Sequence, residues 1–246
     1  MRRQKLQFGV MSDRGQQRSQ NEDAYALALE RRAKSTSERG YVVALAKAEA
    51  LKGLLFLVAD GVGGSEGGEA ASLAAVRAVI TAYYADTGER RDLALERAVS
   101  RANIELHAAS VTTGISGSTT LVGLLLLQKH GFVLNVGDSR AYRMRQGRIE
   151  QFTQDHSLRQ DLLHTGEVAP EDGFTVPENI ITRSVGRDPE VTPDIFELEL
   201  EPGDQILLCT DGLTRHVTDE ELLSHSTQAQ HPQRAAHLRT CLAGID

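Results

Sequence analysis

Cysteines and long apolar runs are both scarce in this chain. It holds two cysteines in 246 residues, Cys209 and Cys241, which are too few for a disulfide scaffold or a cysteine-based zinc site. The longest apolar run covers residues 121–127 and is far shorter than the roughly 20 residues that a membrane helix needs. The basic residues 1–5 are not followed by the apolar segment of a signal peptide. We therefore expect a soluble protein of a reducing cytoplasm, with no membrane partner.

Positive charge and internal repeats are lacking as well. The chain has 27 lysines and arginines against 34 aspartates and glutamates, a net charge of -7, which disfavours a nucleic-acid surface. No segment of about 20 to 50 residues repeats, so a solenoid is disfavoured. Apolar residues make up 40% and charged residues 25% of the chain, as in ordinary globular proteins. The length suits one large domain, which we predict to cover residues 1–246.

The apolar periodicity predicts an α+β fold in which strands outnumber helices. The predicted strands follow one another mostly at hairpin spacing, which favours antiparallel sheets with helices outside over alternating βα units. The segment 165–179 carries glycine, proline and acidic residues and is predicted to be a mobile loop. Strands are predicted at residues 6–11, 24–29, 41–45, 54–59, 119–127, 132–136, 141–145, 149–152, 195–200 and 205–209. Helices are predicted at residues 66–84, 90–110, 155–164 and 232–242, and from Thr218 onwards.

An aspartate beside a glycine follows each of three apolar strands. A single pair of this kind is explained by a turn, because glycine accepts positive φ and aspartate bonds nearby backbone. Three buried strands that end in carboxylates need another explanation, since a buried carboxylate without a partner is unfavourable and only Arg140 lies close in sequence. Carboxylate and carbonyl oxygens select Mg²⁺ or Mn²⁺ over zinc, so the pattern predicts a divalent-cation site. The pairs are Asp60-Gly61, Gly137-Asp138 and Asp211-Gly212.

A further polar segment, residues 12–23, lies just before a predicted strand. It contains Arg18, whose guanidinium fork suits a phosphate group, and the acidic residues Glu22 and Asp23. Taken alone, the segment fits a solvated surface loop with one surface ion pair better than a phosphate site.

Six motif-like stretches follow one another along the chain. They are SDRGQQRSQNEDA at 12–24, VADGVGGSEGGEAAS at 58–72, SGSTTLVG at 116–123, NVGDSRAYRMRQGRIEQFTQDHS at 135–157, ITRSVG at 181–186 and PGDQILLCTDGL at 202–213. In sequence and in order, they resemble the motifs of the metal-dependent type-2C (PPM) protein serine/threonine phosphatases of bacterial type. Together they span nearly the whole chain, so chance similarity is not a serious alternative.

The resemblance implies a fold and a set of metal ligands. The fold would be a four-layer αββα sandwich, in which helix pairs flank two antiparallel sheets and the metal site lies at one edge. By position, Asp60 would bridge two Mg²⁺ or Mn²⁺ ions, and the Gly61 carbonyl would bind one of them. Asp211 would bind the other ion, and Asp138 would belong to a third, weaker site.

The resemblance also implies the reaction and the partners. A water held between two ions about 3.5–4 Å apart would hydrolyse phosphoserine or phosphothreonine in proteins. Arg18 would hold the phosphate, while Glu22 and Asp23 would orient metal-bound waters. Phosphoprotein substrates, a paired serine/threonine kinase, no nucleic acid and a monomer are expected. The alternative is a catalytically weak module that binds phosphoproteins as a regulator.

Other nucleophiles find little support in the sequence. The chain has no Cys-x5-Arg loop, and residues 118–120 (Ser-Thr-Thr) have no evident base, so their hydroxyls are predicted to bond locally at a strand start. His156 has two interpretations, a polar contact near the site or a helix-start histidine bonded to backbone, and the second is favoured.

The sequence departs from the family pattern in three places. Val62 stands where animal members carry the histidine that protonates the leaving group, so the general acid is left open. The family's closing Gly-x-x-Asp-Asn-x-Thr stretch is not found before Asp246, so the closing strand and, unless it is Asp246, the last metal ligand are expected to be missing. The segment 31–52 is longer and more basic than the pattern needs, and no role follows for it.

Overall fold

The computed structural model describes residues 6–14, 20–29, 40–63, 65–127, 130–228 and 240–245. Its strands are β1 (Leu6–Val10), β2 (Asp23–Leu29), β3 (Gly40–Ala44), β4 (Leu54–Val62), β5 (Ser118–Thr119), β6 (Leu121–Leu127), β7 (His130–Val136), β8 (Arg140–Arg145), β9 (Arg148–Gln151), β10 (Asp194–Glu199), β11 (Gln205–Cys209) and β12 (Thr240–Ile245). Its α-helices are α1 (Lys47–Ala50), α2 (Ser65–Ala85), α3 (Arg91–Thr113), α4 (Leu158–Thr165), α5 (Asp211–Thr214) and α6 (Asp219–Gln228).

The larger sheet has seven strands in the order β10-β7-β6-β4-β2-β3, with β5 paired to the end of β4. Its central strands β4 and β6 are apolar almost throughout, because protein layers cover both faces of the sheet. Most pairs are antiparallel, as predicted, but β2 and β3 run parallel. Residues 30–39 separate these two strands, so they are not joined by a tight hairpin, and the prediction of purely antiparallel sheets was wrong at this edge.

The smaller sheet has five strands in the order β1-β12-β11-β8-β9. The helix predicted at 232–242 is contradicted at residues 240–242, which belong to β12, while residues 232–239 lie outside the described ranges. β12 is antiparallel to β1 on one side and to β11 on the other, and so its backbone groups are satisfied by both neighbours. This pairing with two strands outweighs the helix that the local sequence suggested.

Three apolar clusters lie between the layers and pack them together. Helices α2 and α3 pack on one face of the seven-stranded sheet, the two sheets pack on each other, and α5 and α6 cover the outer face of the five-stranded sheet. The order helix, sheet, sheet, helix agrees with the α+β fold that the sequence predicted. Representative buried residues are Val76, Leu95 and Leu57 in the first cluster, Leu27, Phe56 and Leu208 in the second, and Tyr142, Leu207 and Leu222 in the third.

The helix ends follow local capping rules. Helix α3 ends at Gly114, which takes the left-handed conformation with φ 72°. At the start of α6, the Thr218 hydroxyl accepts from the Glu221 N–H at 3.3 Å, and the Thr218 N–H donates to Glu221 Oε2 at 2.9 Å. The segment 165–179, predicted to be a loop, contains a 3-10 helix at Pro170–Thr175.

In the described part of the chain, no helix combines the length and the apolar character that crossing a bilayer requires.

Candidate metal centre

Asp60 and Gly61 lie inside β4 rather than in a turn after it. Asp60 is 8% exposed and lies opposite Asp23 of β2. The Gly61 N–H donates to the backbone oxygen of Glu22 at 3.2 Å. A Cβ built on Gly61 would lie 2.2 Å from the carbonyl oxygen of Gly68, so only glycine lets β4 approach the start of α2 this closely.

Two threonines hold the backbone of Asp60. The Thr120 hydroxyl accepts from the Asp60 N–H at 2.9 Å and lies 2.7 Å from the Ser139 hydroxyl. The Thr119 hydroxyl donates to the Asp60 carbonyl at 2.8 Å. The prediction that these hydroxyls bond locally is confirmed for Thr119, whose hydroxyl also lies 2.9 Å from the Thr120 carbonyl oxygen. It was wrong for the contacts to β4, which join residues 59 and 60 positions apart. These two hydroxyls reach the backbone of Asp60 because strands β4 and β5 are paired, and not because the residues are close in sequence.

Asp138 follows a turn at the end of β7 and is 7% exposed. Burial, together with the charges of Asp211 and Asp155, raises the pKa of the Asp138 carboxyl to about 6. Strand β8 begins two residues after Asp138 and pairs with β11 so that Arg140 lies opposite Cys209, and Asp211 follows Cys209 by two residues. The turn therefore brings the end of β7 to the end of β11.

Asp211 begins α5 directly after β11. Its Oδ2 is 2.5 Å from Nη2 of Arg215, one turn further along the chain. The preceding residue, Thr210, donates its hydroxyl to Asp23 Oδ2 at 3.2 Å, which joins this end of β11 to the start of β2. Arg140, the cation nearest in sequence to these aspartates, pairs instead with Asp155 at 2.6 Å.

Strand pairing and the threonine contacts therefore bring together the ends of β4, β7 and β11 and the start of β2. Within the described ranges, no three acidic, histidine or cysteine side chains form a ready-made ligand cluster. Like-charged carboxylates repel one another, and Arg215 draws the Asp211 carboxylate to itself. Burial, and after it the charges of Asp211 and Asp155, raises the pKa of the Asp138 carboxyl, and the donors at this place are hard oxygens. The residues present therefore fit a divalent cation such as Mg²⁺ or Mn²⁺.

The other predicted site residues divide into two groups. Glu22 and Asp23 lie at this site, and the Glu22 carbonyl also accepts from the Ser72 hydroxyl at 2.6 Å. Val62 ends β4 opposite Ser118. Arg18 and Asp246 lie outside the residues that the structure describes, so their roles stay predictions.

Thr120, Ser139 and Arg215 were not predicted as site residues. Thr120 and Ser139 lie within the family-like stretches, and that position was the one available signal for them. Arg215 follows Asp211 by four residues, a spacing that predicts an ion pair only once α5 is known to be helical.

His156 is 6% exposed and bonds to the backbone, as the favoured interpretation predicted. Its ring nitrogen Nδ1 accepts from the backbone N–H of Gly137 at 3.0 Å, and its backbone N–H donates to the Gly137 carbonyl at 2.9 Å. The contact is with the residue before Asp138, so the histidine also borders the site.

Comparison with known proteins identifies the family. The protein phosphatase 2C model matches residues 44–244. The chain belongs to the protein phosphatase 2C family. It is therefore a protein serine/threonine phosphatase of the bacterial, metal-dependent PPM type, as the sequence motifs predicted.

Relatives and solved structures of this phosphatase family agree with the assignment. The serine/threonine phosphatase stp of Listeria innocua is 37% identical over 175 residues, which cover 68% of this chain and 69% of the relative. The crystal structure of the Mycobacterium tuberculosis phosphatase PstP/Ppp has a TM-score of 0.77 at 28% identity and covers 98% of both chains. A structure of the PstP catalytic domain in complex with two manganese ions has a TM-score of 0.75, again at 28% identity and 98% coverage of both chains.

Proposed function

We propose that this phosphatase hydrolyses phosphoserine and phosphothreonine monoesters in proteins with two Mg²⁺ or Mn²⁺ ions. Asp60, the Gly61 carbonyl and Asp211 would hold these ions, and Asp138 would hold a third, weaker one. The main support is the meeting of four strand ends, in which Asp23 lies opposite Asp60 and accepts from Thr210 next to Asp211. A single cation cluster can therefore be reached from carboxylates far apart in sequence.

The ions, when bound, would supply an activated water and positive charge opposite the phosphoryl oxygens. The backbone of Asp60 is held at its N–H by Thr120 and at its carbonyl by Thr119, and its carboxylate would be the group that holds the cations. Thr210 holds one oxygen of Asp23, which with Glu22 would orient waters around the ions. Arg18 would bind the phosphate oxygens.

The leaving serine or threonine oxygen needs a proton. Val62 occupies the position of the histidine acid of animal members and carries no proton to donate. We therefore propose that water protonates the leaving group. The physiological substrates would be phosphoproteins made by a serine/threonine kinase.

The proposal is tested by Mn²⁺-dependent hydrolysis of a phosphothreonine peptide. We expect Asp60→Asn to lower kcat at least about a hundredfold, because the carboxylate charge at the centre of the site is lost. The matched control is Asp161→Asn on the exposed face of α4, which should keep full activity.

Two further outcomes distinguish the alternatives. A wild-type chain that binds the phosphopeptide but does not turn it over would support the regulatory binding module. Faster hydrolysis of a phosphodiester than of a phosphomonoester would contradict the proposed substrate class.

A further inference from the structure

The peptide groups on both sides of Gly137 are held in a tight set of hydrogen bonds. The Gly137 N–H donates to His156 Nδ1 at 3.0 Å, and the Gly137 carbonyl accepts from the His156 N–H at 2.9 Å and from Asn135 Nδ2 at 3.2 Å. Gly137 has φ +106°, and a Cβ there would lie 2.8 Å from the Thr120 side chain. Asp138 is the next residue, so these bonds determine the direction in which its side chain leaves the backbone.

The hydrogen bonds of His156 determine its tautomer. Nδ1 accepts a hydrogen bond from the Gly137 N–H, so the neutral ring carries its own proton on Nε2. Nε2 lies 3.0 Å from Asp194 Oδ2 and donates to it. Arg183 Nη1 donates to the other oxygen of Asp194 at 2.9 Å and to the Thr192 carbonyl at 3.2 Å. Asp194 thus holds the imidazole in the form that can accept from Gly137.

His156 also lies where the two ends of the segment 157–181, between β9 and β10, come together. The His156 carbonyl accepts from the Thr182 N–H at 2.9 Å, and the Leu158 N–H donates to the Ile180 carbonyl at 2.9 Å. Ser157 and Ile181 form an isolated bridge between these contacts. Residues 156–158 and 180–182 are therefore paired, and the segment between them is joined to Gly137 through His156.

We propose that His156, Asp194 and Arg183 are positioning residues that set the orientation of Asp138 for its cation. None of them is argued to touch substrate, so each acts through Gly137. The inference rests on the proposed role of Asp138 as a ligand of the third ion. It predicts that the fold of residues 157–183 is coupled to the affinity of that ion, because both share the hydrogen bonds of His156.

The tautomer is tested first, on the metal-free full chain and without any activity measurement. We expect the ¹⁵N chemical shifts and two-bond couplings of His156 to show a neutral ring protonated at Nε2. In Asp194→Asn, the carboxamide can donate to Nε2 instead, so the proton should move partly to Nδ1 and the Gly137 amide should exchange faster. A wild-type His156 protonated at Nδ1 would overturn the proposal.

The consequence for the site is tested with titrations of Mn²⁺ alone. We expect His156→Leu to weaken the weakest Mn²⁺ site about 10- to 100-fold, the usual effect of losing a group that orients a ligand. His156→Asn places an acceptor oxygen near the position of Nδ1 and should recover most of that loss. The control His164→Leu, at an exposed histidine of α4, should change neither value.

Kinetics then separate positioning from general damage. For a phosphopeptide, we expect His156→Leu to lower kcat with little change in KM, and His156→Asn to restore kcat. An unchanged Mn²⁺ affinity in a folded His156→Leu variant would contradict the proposal. If that variant does not fold, Arg183→Ala and Asp194→Ala provide the same test from the outer end of the chain of contacts. Wild-type protein that shows the predicted tautomer and Mn²⁺ effects without turnover would contradict the proposed function alone.

Discussion

Asp23 lies directly opposite Asp60 across the antiparallel pair of β2 and β4. Two carboxylates at facing positions of neighbouring strands repel each other unless a positive charge or a hydrogen-bond donor lies near them. One donor is the Thr210 hydroxyl, which comes from the other sheet. The pair therefore lies where the two sheets meet at one end, and it defines the place at which a divalent cation would be stabilised.

Arg215 competes with a cation for Asp211. The guanidinium is 2.5 Å from the carboxylate, so we expect Arg215→Gln to tighten Mn²⁺ binding by up to about fivefold, since a partly exposed ion pair contributes up to about 1 kcal/mol. Isothermal titration with Mn²⁺ at low and high ionic strength measures the effect, which salt should reduce. The control is Arg101→Gln, which breaks an exposed i,i+4 pair with Glu105 on α3. Weaker Mn²⁺ binding by the Arg215 variant would contradict this interpretation.

Gly61 is predicted to tolerate no side chain. In Gly61→Ala, the new methyl group would lie 2.2 Å from the Gly68 carbonyl oxygen, which belongs to backbone and cannot rotate away. We expect a loss of about 3 kcal/mol or more in the free energy of unfolding, measured by urea denaturation, together with loss of activity. Gly9→Ala, in β1, has open space around the new atom and is the matched control. Equal stability of the two variants would show that the close contact between β4 and α2 is wrong.

Thr120 is predicted to stabilise the backbone of Asp60. Thr120→Val keeps the shape of the side chain but leaves the buried Asp60 N–H and the Ser139 hydroxyl without this partner. We expect the free energy of unfolding to fall by about 1–3 kcal/mol. Thr120→Ser retains the hydroxyl and should be closer to wild type. If the valine variant were as stable as the serine variant in urea, the hydrogen bond would contribute nothing.

Asp204 is predicted to make the fold sensitive to acid. Its carboxylate accepts from Arg145 at 2.6 Å on each oxygen and from the Glu201 N–H at 2.8 Å. Burial alone would raise the pKa of Asp204, but these donors outweigh it and the pKa lies below its usual value. Such a group stabilises the fold above the unfolded pKa of about 3.9, and this contribution disappears as the pH falls through the lower folded pKa.

The test is urea unfolding of Asp204→Asn across the acid range. At pH 7 we expect the variant to be less stable than wild type by about 1–3 kcal/mol, and the difference should shrink as the pH falls below the unfolded pKa. Glu150→Gln, which removes an exposed partner of Arg143, should show a much smaller pH dependence. A stability difference that stays constant from pH 7 into the acid range would rule out the charge as its cause.

The predicted elements were most accurate where periodicity is strong and the partners are adjacent in sequence. Helices α2 and α3 and strands β6 to β9 lie close to their predicted positions, because the buried face of each element repeats over several turns or residues. The prediction failed at β12, where a short segment has no decisive period and its state depends on β1 and β11. It also failed for the direction of β3, which depends on a connection and not on the strand itself.

In the candidate site, too, local patterns were informative, whereas contacts between distant segments could not be predicted. Asp60, Asp138 and Asp211 were predicted from three apolar strands that each end in a carboxylate, a pattern visible in the sequence alone. Arg140 is the cation nearest in sequence to these aspartates, two residues after Asp138, yet it bonds to Asp155 in a different segment, while Arg215 bonds to Asp211. Proximity in sequence is a poor guide to ion pairs between elements, because side-chain direction and strand register decide which groups meet.

By itself, the sequence determined the family and most of the strands and helices, and it predicts which aspartates belong together, because these features are recorded in local patterns of apolar residues, glycines and acids. Only the tertiary structure decided what holds those aspartates in place: the Thr119 and Thr120 contacts to Asp60, the Thr210 contact to Asp23, and the His156 contact to Gly137. Each of these hydrogen bonds joins residues at least 19 positions apart. Hydrogen bonds act over about 3 Å, so their partners are selected by the packing of the sheets and not by distance along the chain.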